Sequence, residues 1–203
     1  MSSSSVPDQE EEFSQVSEGK ANVLLPPGVF YNPVQEFNRD LTVAVIRTFQ
    51  RLHEQQWRSH NEKKAKAEAG DAPVEYPGLV ILEALAASGL RSMRFALEVP
   101  KIARVFANDF DTTAAELIAK NAERNGEKTK KLVTASCEDA NLVMINKKTR
   151  GELFDVIDLD PYGSASKFLS AAMFSVSRGN ERYFLLGKRN FRRNTAFRGL
   201  RSC

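Results

Sequence analysis

The sequence has few cysteines, no long apolar run and no secretory signal pattern. Its two cysteines, Cys137 and Cys203, are far apart, which excludes a disulfide framework or a cysteine-based metal site and favours a reducing, intracellular environment. No apolar stretch approaches the roughly 20 residues that span a bilayer, so we expect no membrane association. The first 19 residues hold five acids and no Lys or Arg, which also argues against a mitochondrial presequence.

The net charge of +3 is unevenly distributed along the chain. Residues 178–203 contain eight Lys or Arg and one Glu, so this segment carries +7 and leaves −4 on the other residues. We therefore expect any basic surface that binds nucleic acid to lie in this tail and in the segment "RTFQRLHEQQWRSHNEKKAKAEAG".

Composition divides the 203 residues into four segments. Residues 1–20 are rich in Ser and Glu and are predicted to be disordered. Residues 21–77 are predicted to be an N-terminal helical segment and linker, and residues 78–177 a nucleotide-binding core, followed by the divergent basic tail 178–203. The helical segment has an apolar stripe at helical spacing, formed by Val34, Phe37, Leu41, Val45, Phe49 and Leu52.

From Gly78 onward, short apolar runs alternate four times with helical segments. The predicted strands lie in "LVILEALA", "RVFAND", "KLVTAS" and "FDVIDLD". The helix after the second strand has Asp111 as a candidate N-cap and Gly126 just past its end. This alternation predicts an α/β fold with a parallel sheet covered on both faces.

Every predicted strand ends at or near an acidic residue. These acids are Glu83, Asp109, Asp111, Glu138, Asp139, Asp158 and Asp160. A single acid at such a position is usually a helix cap or a solvated loop residue. Acids at all four ends would meet at one edge of a parallel sheet, where ligands of such sheets bind. The Asp109-x-Asp111 pair lacks further ligands in sequence, so we predict no metal site.

The turn after the first predicted strand is poor in glycine. Its sequence "AASGLRS" contains only Gly89, so the dinucleotide pattern G-x-G-x-x-G fails and a nicotinamide-dependent oxidoreductase is disfavoured. Asp109 follows Gly89 at a spacing that suits an acid bound to ribose hydroxyls. A mononucleoside such as S-adenosylmethionine therefore fits better than a dinucleotide, with a tight turn and a helix cap as the plain alternative.

Asp160, Pro161 and Tyr162 follow the fourth predicted strand. The exocyclic amine of a nucleobase is a poor nucleophile because its lone pair is delocalised into the ring. A carboxylate and a carbonyl fixed by proline can orient such an amine, and an adjacent ring can stack on the base. The alternative is that Pro161 only ends the strand and Tyr162 packs on the next helix.

Five blocks of the chain together resemble the tRNA (guanine-26-N2)-dimethyltransferase family. They are "VFYNPVQEFNRDLTVAVI", "ILEALAASGLRSMRFALEVP", "VFANDFDTTAAELIAKNAERNG", "CEDAN" and "DVIDLDPYGS", in the family's order. The resemblance implies a Rossmann-like class I methyltransferase fold and S-adenosylmethionine as donor. It also implies tRNA as partner, with transfer of one or two methyl groups to the exocyclic N2 of guanine 26.

Carried over by position, the resemblance implies two sets of site residues. The donor-binding set, in which Asp109 holds the ribose and the last two residues flank the adenine, is Arg39, Arg91, Asp109, Asp139 and Ala140. The catalytic, base-binding set is Asp160, Pro161 and Tyr162.

The resemblance ends near Ala172, and the following residues do not match the family. We therefore expect a truncated product whose sheet is incomplete at its C-terminal strands, with "RYFLLG" able to form one strand. The alternative functions are a non-catalytic RNA-binding fragment that uses the basic tail and, less favoured, a Rossmann oxidoreductase. The resemblance implies a nuclear or mitochondrial location, and no protein partner can be inferred.

Overall fold

Strands and helices alternate along the residues that this computed structural model describes, which are 13–27, 31–67, 75–161, 163–176 and 183–186, with the backbone alone for 63–67 and 183–186. The strands are β1 (Ser14–Glu18), β2 (Ala21–Leu25), β3 (Leu79–Glu83), β4 (Ile102–Asp109), β5 (Val133–Cys137), β6 (Val156–Leu159) and β7 (Tyr183–Leu186). The helices are α1 (Glu36–Ala67), α2 (Leu90–Glu98), α3 (Thr112–Arg124), α4 (Glu127–Leu132), α5 (Ala140–Thr149) and α6 (Ser166–Ser175).

Five parallel strands form the central sheet in the order β5-β4-β3-β6-β7. The chain runs from β3 outward to β5 and then returns to the other side of β3 with β6. The strand order therefore reverses between β3 and β6, and in doubly wound sheets such a reversal opens a ligand-binding crevice at the carboxyl ends of the strands. The predicted α/β fold with a parallel sheet is confirmed.

Helices cover both faces of the sheet, as predicted. Helices α1, α2 and α3 and the β1–β2 hairpin share one core cluster with Ile81 and Val156. Helices α5 and α6 share the other with Leu82 and Ile157. Successive residues of a strand point to opposite faces, and consecutive residues such as Ile81 and Leu82 of β3 and Val156 and Ile157 of β6 are buried on both. This is why these strands appear in the sequence as continuous apolar runs.

The N-terminal hairpin corrects the prediction that residues 1–20 are disordered, because β1 lies in that range. Strands β1 and β2 pair antiparallel around the two-residue turn Gly19–Lys20, and Gly19 has a φ of 55°, which glycine adopts without strain. In β2 every second residue is buried, namely Ala21, Val23 and Leu25. This alternating pattern is short and follows a stretch rich in Ser and Glu, so composition alone does not predict the hairpin.

The sequence predicts α1, and the structure bears out part of its predicted apolar stripe. Phe49 is buried in the core and Val45 packs against it, whereas Phe37 and Leu41 are exposed. The buried face also includes Val43 and Ile46, which lie outside the predicted stripe. Periodicity alone does not tell how far the buried face of a helix turns from one apolar stripe to the next. Neither α1 nor any other helix among the described residues is long and apolar enough to cross a membrane.

Strand β7 lies in the segment predicted to be a divergent basic tail, yet it pairs in parallel with β6. The sheet therefore continues past the domain boundary predicted at residue 177. Its four residues, "YFLL", are the apolar part of the run that the sequence marks as able to form one strand.

Candidate active site

The carboxyl ends of four neighbouring strands bring acidic residues to one edge of the sheet. Glu83 at the end of β3 is in register with Asp158 of β6. Asp109 at the end of β4 is in register with Cys137 of β5. All these strands are parallel, so the loops that follow them lie along the same edge. The convergence of strand-end acids that the sequence predicts is present in the structure.

The turn between β3 and α2 is fixed by its backbone. The N–H of Ala86 donates to the carbonyl of Asn108 at 2.8 Å. Gly89 caps α2 with a φ of 76°, and a Cβ at this position would lie 3.2 Å from the side chain of Ile118. The backbone conformation therefore favours glycine, and the turn packs closely against the Ile118 side chain of α3.

Asp109 links this turn to the loop after β4. Its Oδ2 accepts a hydrogen bond from the N–H of Ala87 at 2.7 Å, and its Oδ1 accepts one from the N–H of Asp111 at 3.1 Å. Ala87 has a φ of 48°, which is uncommon for a residue with a Cβ, so the Asp109 carboxylate stabilises a strained turn. A carboxylate has about four acceptor positions, which leaves Asp109 able to accept bonds from a ligand.

Sequence analysis misses Asn108, a fully buried amide at the same edge. Its Nδ2 donates to the carbonyls of Ala84 and Glu138, at 3.2 and 2.9 Å. Its Oδ1 accepts from the hydroxyl of Ser136 and the N–H of Glu138, at 2.8 and 3.1 Å. One side chain thus holds the loops after β3 and β5 against β4. The only signal in the sequence is a polar residue at the end of an apolar strand.

Three acids and one arginine form a group at the reversal of strand order, which we call the strand-end cluster: Glu83, Arg91, Asp158 and Asp160. Arg91, in the first turn of α2, donates from Nη1 to Asp158 Oδ2 at 3.3 Å and from Nη2 to Asp160 Oδ2 at 2.8 Å. Glu83 accepts from the N–H and the hydroxyl of Ser92 at 2.8 and 2.5 Å. Within the described residues, the buried Oδ1 of Asp158 has no hydrogen-bond partner.

The two fully buried acids of the strand-end cluster have raised pKa values. Burial, with a further contribution from the charge of Asp158, raises the pKa of Glu83 to about 8, against the opposing effect of Ser92 and Arg91. Burial also raises the pKa of Asp158 to about 6, although Arg91 acts to lower it. Burial therefore favours the protonated forms of both acids. Raised pKa values of buried acids are typical of functional sites.

The turn after β6 begins with Asp160, whose side chain is 33% exposed. Arg91 engages its Oδ2, and no hydrogen bond from the described part of the chain reaches its Oδ1. Pro161 is half-buried, and Tyr162 lies outside the described residues, so its predicted stacking role stays a prediction. Asp160 is the member of the strand-end cluster that is open to a ligand.

Asp139 and Ala140 stand at the start of α5. Asp139 Oδ1 accepts hydrogen bonds from the N–H groups of Asn141 and Leu142 at 2.8 and 3.1 Å, so Asp139 is the N-cap of this helix. Ala140 is buried in the core cluster beneath it. The helix-capping alternative is thus present, and the predicted contact with an adenine stays a prediction.

Arg39 belongs to a second buried group, the hairpin cluster, which consists of Glu18, Tyr31, Arg39 and Arg94. Arg39 donates from Nε and Nη2 to Glu18 at 2.5 to 2.8 Å. Glu18 also accepts from Arg94 at 2.6 Å and from the hydroxyl of Tyr31 at 2.8 Å. None of these described contacts joins Arg39 to another predicted site residue, and its role as a donor contact stays a prediction.

Comparison with known proteins relates nearly the whole chain to one group of enzymes. The family model described as N2,N2-dimethylguanosine tRNA methyltransferase matches residues 8–184. The match extends past Ala172, where the resemblance seen in the sequence ends.

Two relatives illustrate the similarity in sequence. The tRNA (guanine(26)-N(2))-dimethyltransferase of Mus musculus is 44% identical over 196 residues, which cover 81% of this chain and 29% of the relative. The mitochondrial tRNA (guanine(26)-N(2))-dimethyltransferase of Saccharomyces cerevisiae is 40% identical over 195 residues, covering 83% of this chain and 34% of the relative. The chain thus spans about a third of the length of the curated relatives it matches.

Solved structures agree with the fold. Trm1 from Pyrococcus horikoshii, in a complex with S-adenosyl-L-methionine, has a TM-score of 0.64 and 30% sequence identity, with 85% of this chain and 42% of that chain covered. A SAM-dependent methyltransferase from Agrobacterium tumefaciens has a TM-score of 0.59 at 15% identity, with 88% of this chain and 54% of that chain covered, which supports the fold alone. The predicted Rossmann-like methyltransferase fold is confirmed.

Proposed function

The chain belongs to the N2,N2-dimethylguanosine tRNA methyltransferase family, and on that basis we propose that its core binds S-adenosylmethionine and transfers one or two methyl groups to N2 of guanine 26 in tRNA. The observation that carries the proposal is the strand-end cluster. It joins a partly exposed carboxylate to buried acids at the reversal of strand order, beside the turn that Asp109 stabilises.

The residues at this edge fit S-adenosylmethionine. The acids of the strand-end cluster outnumber Arg91, the one basic residue in it, which suits a ligand with a positively charged sulfur. Asp158 Oδ1 is buried without a hydrogen-bond partner in the described residues. When bound, this donor supplies a methyl carbon that is electrophilic because it is attached to positively charged sulfur.

We assign the donor contacts as the resemblance implies them. Asp109 accepts hydrogen bonds from the ribose hydroxyls, and its remaining acceptor positions support this role. Asp139 and Ala140 flank the adenine, and Arg39 and Arg91 lie toward the donor. The acids at adjacent strand ends favour these positions because they share one edge of the sheet.

Asp160 is the proposed catalytic acceptor for the target amine. Its Oδ1 accepts a hydrogen bond from N2 of the guanine, which orients the nitrogen lone pair toward the methyl carbon. As the sulfur–methyl bond of the donor breaks and the neutral thioether leaves, the nitrogen would gain the methyl group and lose one proton, which Asp160 would accept and release to water. Pro161 fixes the adjacent carbonyl, and Tyr162 stacks on the base in this proposal.

We further propose that the enzyme works inside the cell, on nuclear or mitochondrial tRNA. The name of the Saccharomyces cerevisiae relative includes the word mitochondrial, which supports the second compartment. The RNA-binding alternative that relies on residues 178–203 gains no support, since the family match covers the first residues of that segment.

Donor binding provides the first test of this function. Calorimetry with S-adenosylmethionine should give a micromolar dissociation constant for the chain, and Asp109→Ala should weaken it by at least about 30-fold, as expected for the loss of two charge-assisted hydrogen bonds. The matched control is Glu127→Ala, an acid before the amino end of β5 and therefore at the opposite edge of the sheet. Equal binding by wild type and Asp109→Ala would reject the ribose assignment.

Methyl transfer provides the second test. Unmodified tRNA should yield N2-methylguanosine or N2,N2-dimethylguanosine at position 26, detected by mass spectrometry, and tRNA with adenosine at that position should yield neither. The isosteric Asp160→Asn should reduce transfer by about 100-fold or more while donor binding is retained. Modification of another nucleotide, or a fully active Asp160→Asn, would contradict the proposal.

A further inference from the structure

Two asparagines bind the backbone of β2 in the same way: Asn121, in the last turn of α3, and Asn125, its C-cap. Asn121 Oδ1 accepts from the N–H of Leu24 at 2.8 Å, and Asn121 Nδ2 donates to the carbonyl of Leu24 at 3.2 Å. Asn125 makes the same two bonds with Asn22, at 2.8 and 2.7 Å. Four residues rise about 6 Å in a helix and two rise about 6.6 Å in a strand, so both amides reach the same side of β2.

The second N–H of each amide distinguishes the two residues, since an asparagine side chain has two such donors. Asn121 Nδ2 also donates to the carbonyl of Ser88 at 2.9 Å, in the turn between β3 and α2. Asn125 Nδ2 also donates to the carbonyl of Asn121 at 2.7 Å, within its own helix. Asn121 therefore joins the hairpin to that turn, whereas Asn125 joins the hairpin to α3 alone.

The turn around Ser88 has a backbone conformation that needs support. Ala87 and Gly89, on either side of Ser88, have φ values of 48° and 76°, and the first is unfavourable for a residue with a Cβ. Asp109 binds the N–H of Ala87 at 2.7 Å. Asn121 binds the carbonyl of Ser88, so two side chains from different elements hold this turn at two points.

Asn121 is held in a single orientation. Its side chain is fully buried, with the amide oxygen facing the N–H of Leu24 and the amide nitrogen facing two carbonyls. Exchanging the oxygen and the nitrogen would leave all three backbone groups without a matching partner at this position, which is costly in the interior. An aspartate at this position would place a carboxylate oxygen against both carbonyls.

From this geometry we infer that Asn121 is a positioning residue for donor binding. It holds the carbonyl of Ser88 so that the turn keeps the shape that receives S-adenosylmethionine, and it anchors the turn on the hairpin. The inference rests on the proposed function, in which this edge of the sheet binds the donor. It adds to the donor-binding set a buried residue that acts through the turn and does not touch the donor.

The test compares Asn121→Asp with its matched control, Asn125→Asp. Both variants replace an amide that donates to two carbonyls, so both should lower the melting temperature. By calorimetry, the dissociation constant for S-adenosylmethionine should rise at least about tenfold in Asn121→Asp and stay within about threefold of wild type in Asn125→Asp. With saturating donor, kcat for methyl transfer should stay within about threefold of wild type in both, because the lost interaction supports donor binding.

A second pair, Asn121→Ser and Asn125→Ser, gives the same comparison if Asn121→Asp does not fold. Serine is too short to reach Ser88 and adds no charge. Equal donor affinity in the Asn121 and Asn125 variants, with a wild-type chain that binds the donor, would overturn the inference and leave the proposed function intact. A wild-type chain that binds no S-adenosylmethionine would refute the proposed function, and this inference with it.

Discussion

The two buried clusters use the same chemical groups in opposite ways. In the hairpin cluster, one carboxylate, Glu18, is bound by two guanidinium groups and a phenol hydroxyl. In the strand-end cluster, a single guanidinium is shared by two carboxylates and lies near a third acid, Glu83. The first arrangement satisfies its central acid completely, while the second leaves an oxygen of Asp158 without a partner in the described residues.

The pKa values of the buried acids follow this difference. Burial acts to raise the pKa of Glu18, but hydrogen bonds from Arg39, Tyr31 and Arg94 outweigh it and leave that pKa below its usual value. In the strand-end cluster burial dominates, and the pKa values of Glu83 and Asp158 are raised. A satisfied acid stabilises the fold, whereas acids in excess cost stability and retain the capacity to bind a cation.

The largest expected effect comes from removing the acid at the centre of the hairpin cluster. Glu18→Ala leaves the buried guanidinium groups of Arg39 and Arg94 without their shared partner, and removing one member of a buried ion pair costs about 3–5 kcal/mol. Urea denaturation followed by circular dichroism should show this loss in the free energy of unfolding. The control is Glu123→Ala, which removes an exposed ion pair with Lys130 and should leave stability within error of wild type. Equal stability of the two variants would show that the hairpin is not held by this cluster.

The contributions of Glu83 and Glu18 to stability depend on pH with opposite signs. Glu83 has its pKa raised from 4.5 to about 8, so between these values the native state keeps a proton that the unfolded chain releases. Stability conferred by this group therefore falls as pH rises toward 8 and levels off above it. The isosteric Glu83→Gln should gain stability relative to wild type over that range, since its amide oxygen can still accept from Ser92.

The measurement is the difference in urea midpoint between variant and wild type at pH 5, 7 and 8.5. Glu83→Gln should be progressively more stable than wild type as pH rises. The pKa of Asp158 is raised from 3.8 to about 6. The stability that this group confers therefore falls as pH rises toward 6, in the variant as in wild type. Glu18→Gln should be less stable than wild type by a constant amount at these three pH values, because the lowered pKa of Glu18 stabilises wild type above about 4.5 and that gain disappears only as the pH falls below it. A difference that does not vary with pH would contradict the raised pKa of Glu83.

The contrast between the clusters also explains which parts of the molecule the sequence predicts. The strand-end cluster follows from local rules, because alternating apolar runs fix a parallel sheet and parallel strands deliver the residues after them to one edge. The N-cap role of Asp111 is equally local, and the structure confirms its bond to the N–H of Thr113 at 2.7 Å. Each of these predictions depends on residues that are close in sequence or on topology.

The hairpin cluster could not be predicted in this way. Glu18 and Arg94 are separated by 76 residues. No local sequence pattern indicates that this glutamate is buried between two arginines. The same limit applies to Asn108, whose partners come from two other loops, and to the buried face of α1. Tertiary packing determines which residues distant in sequence contact each other, and these contacts cannot be predicted from the local patterns of a single sequence.

The smallest expected effect extends the comparison to exposed acids at the strand-end edge. Asp111 and Asp139 are both N-caps, of α3 and α5, and the loss of either cap by substitution with Ala should lower the melting temperature by about 2–5 °C. Only Asp139→Ala should also weaken S-adenosylmethionine binding, by about five- to tenfold, if it stands beside the adenine. Calorimetry and thermal denaturation on the two variants give both readouts. If the two variants lose stability equally and neither loses donor affinity, then Asp139 is a structural cap like Asp111, and the acids that bind the donor are confined to β3, β4 and β6.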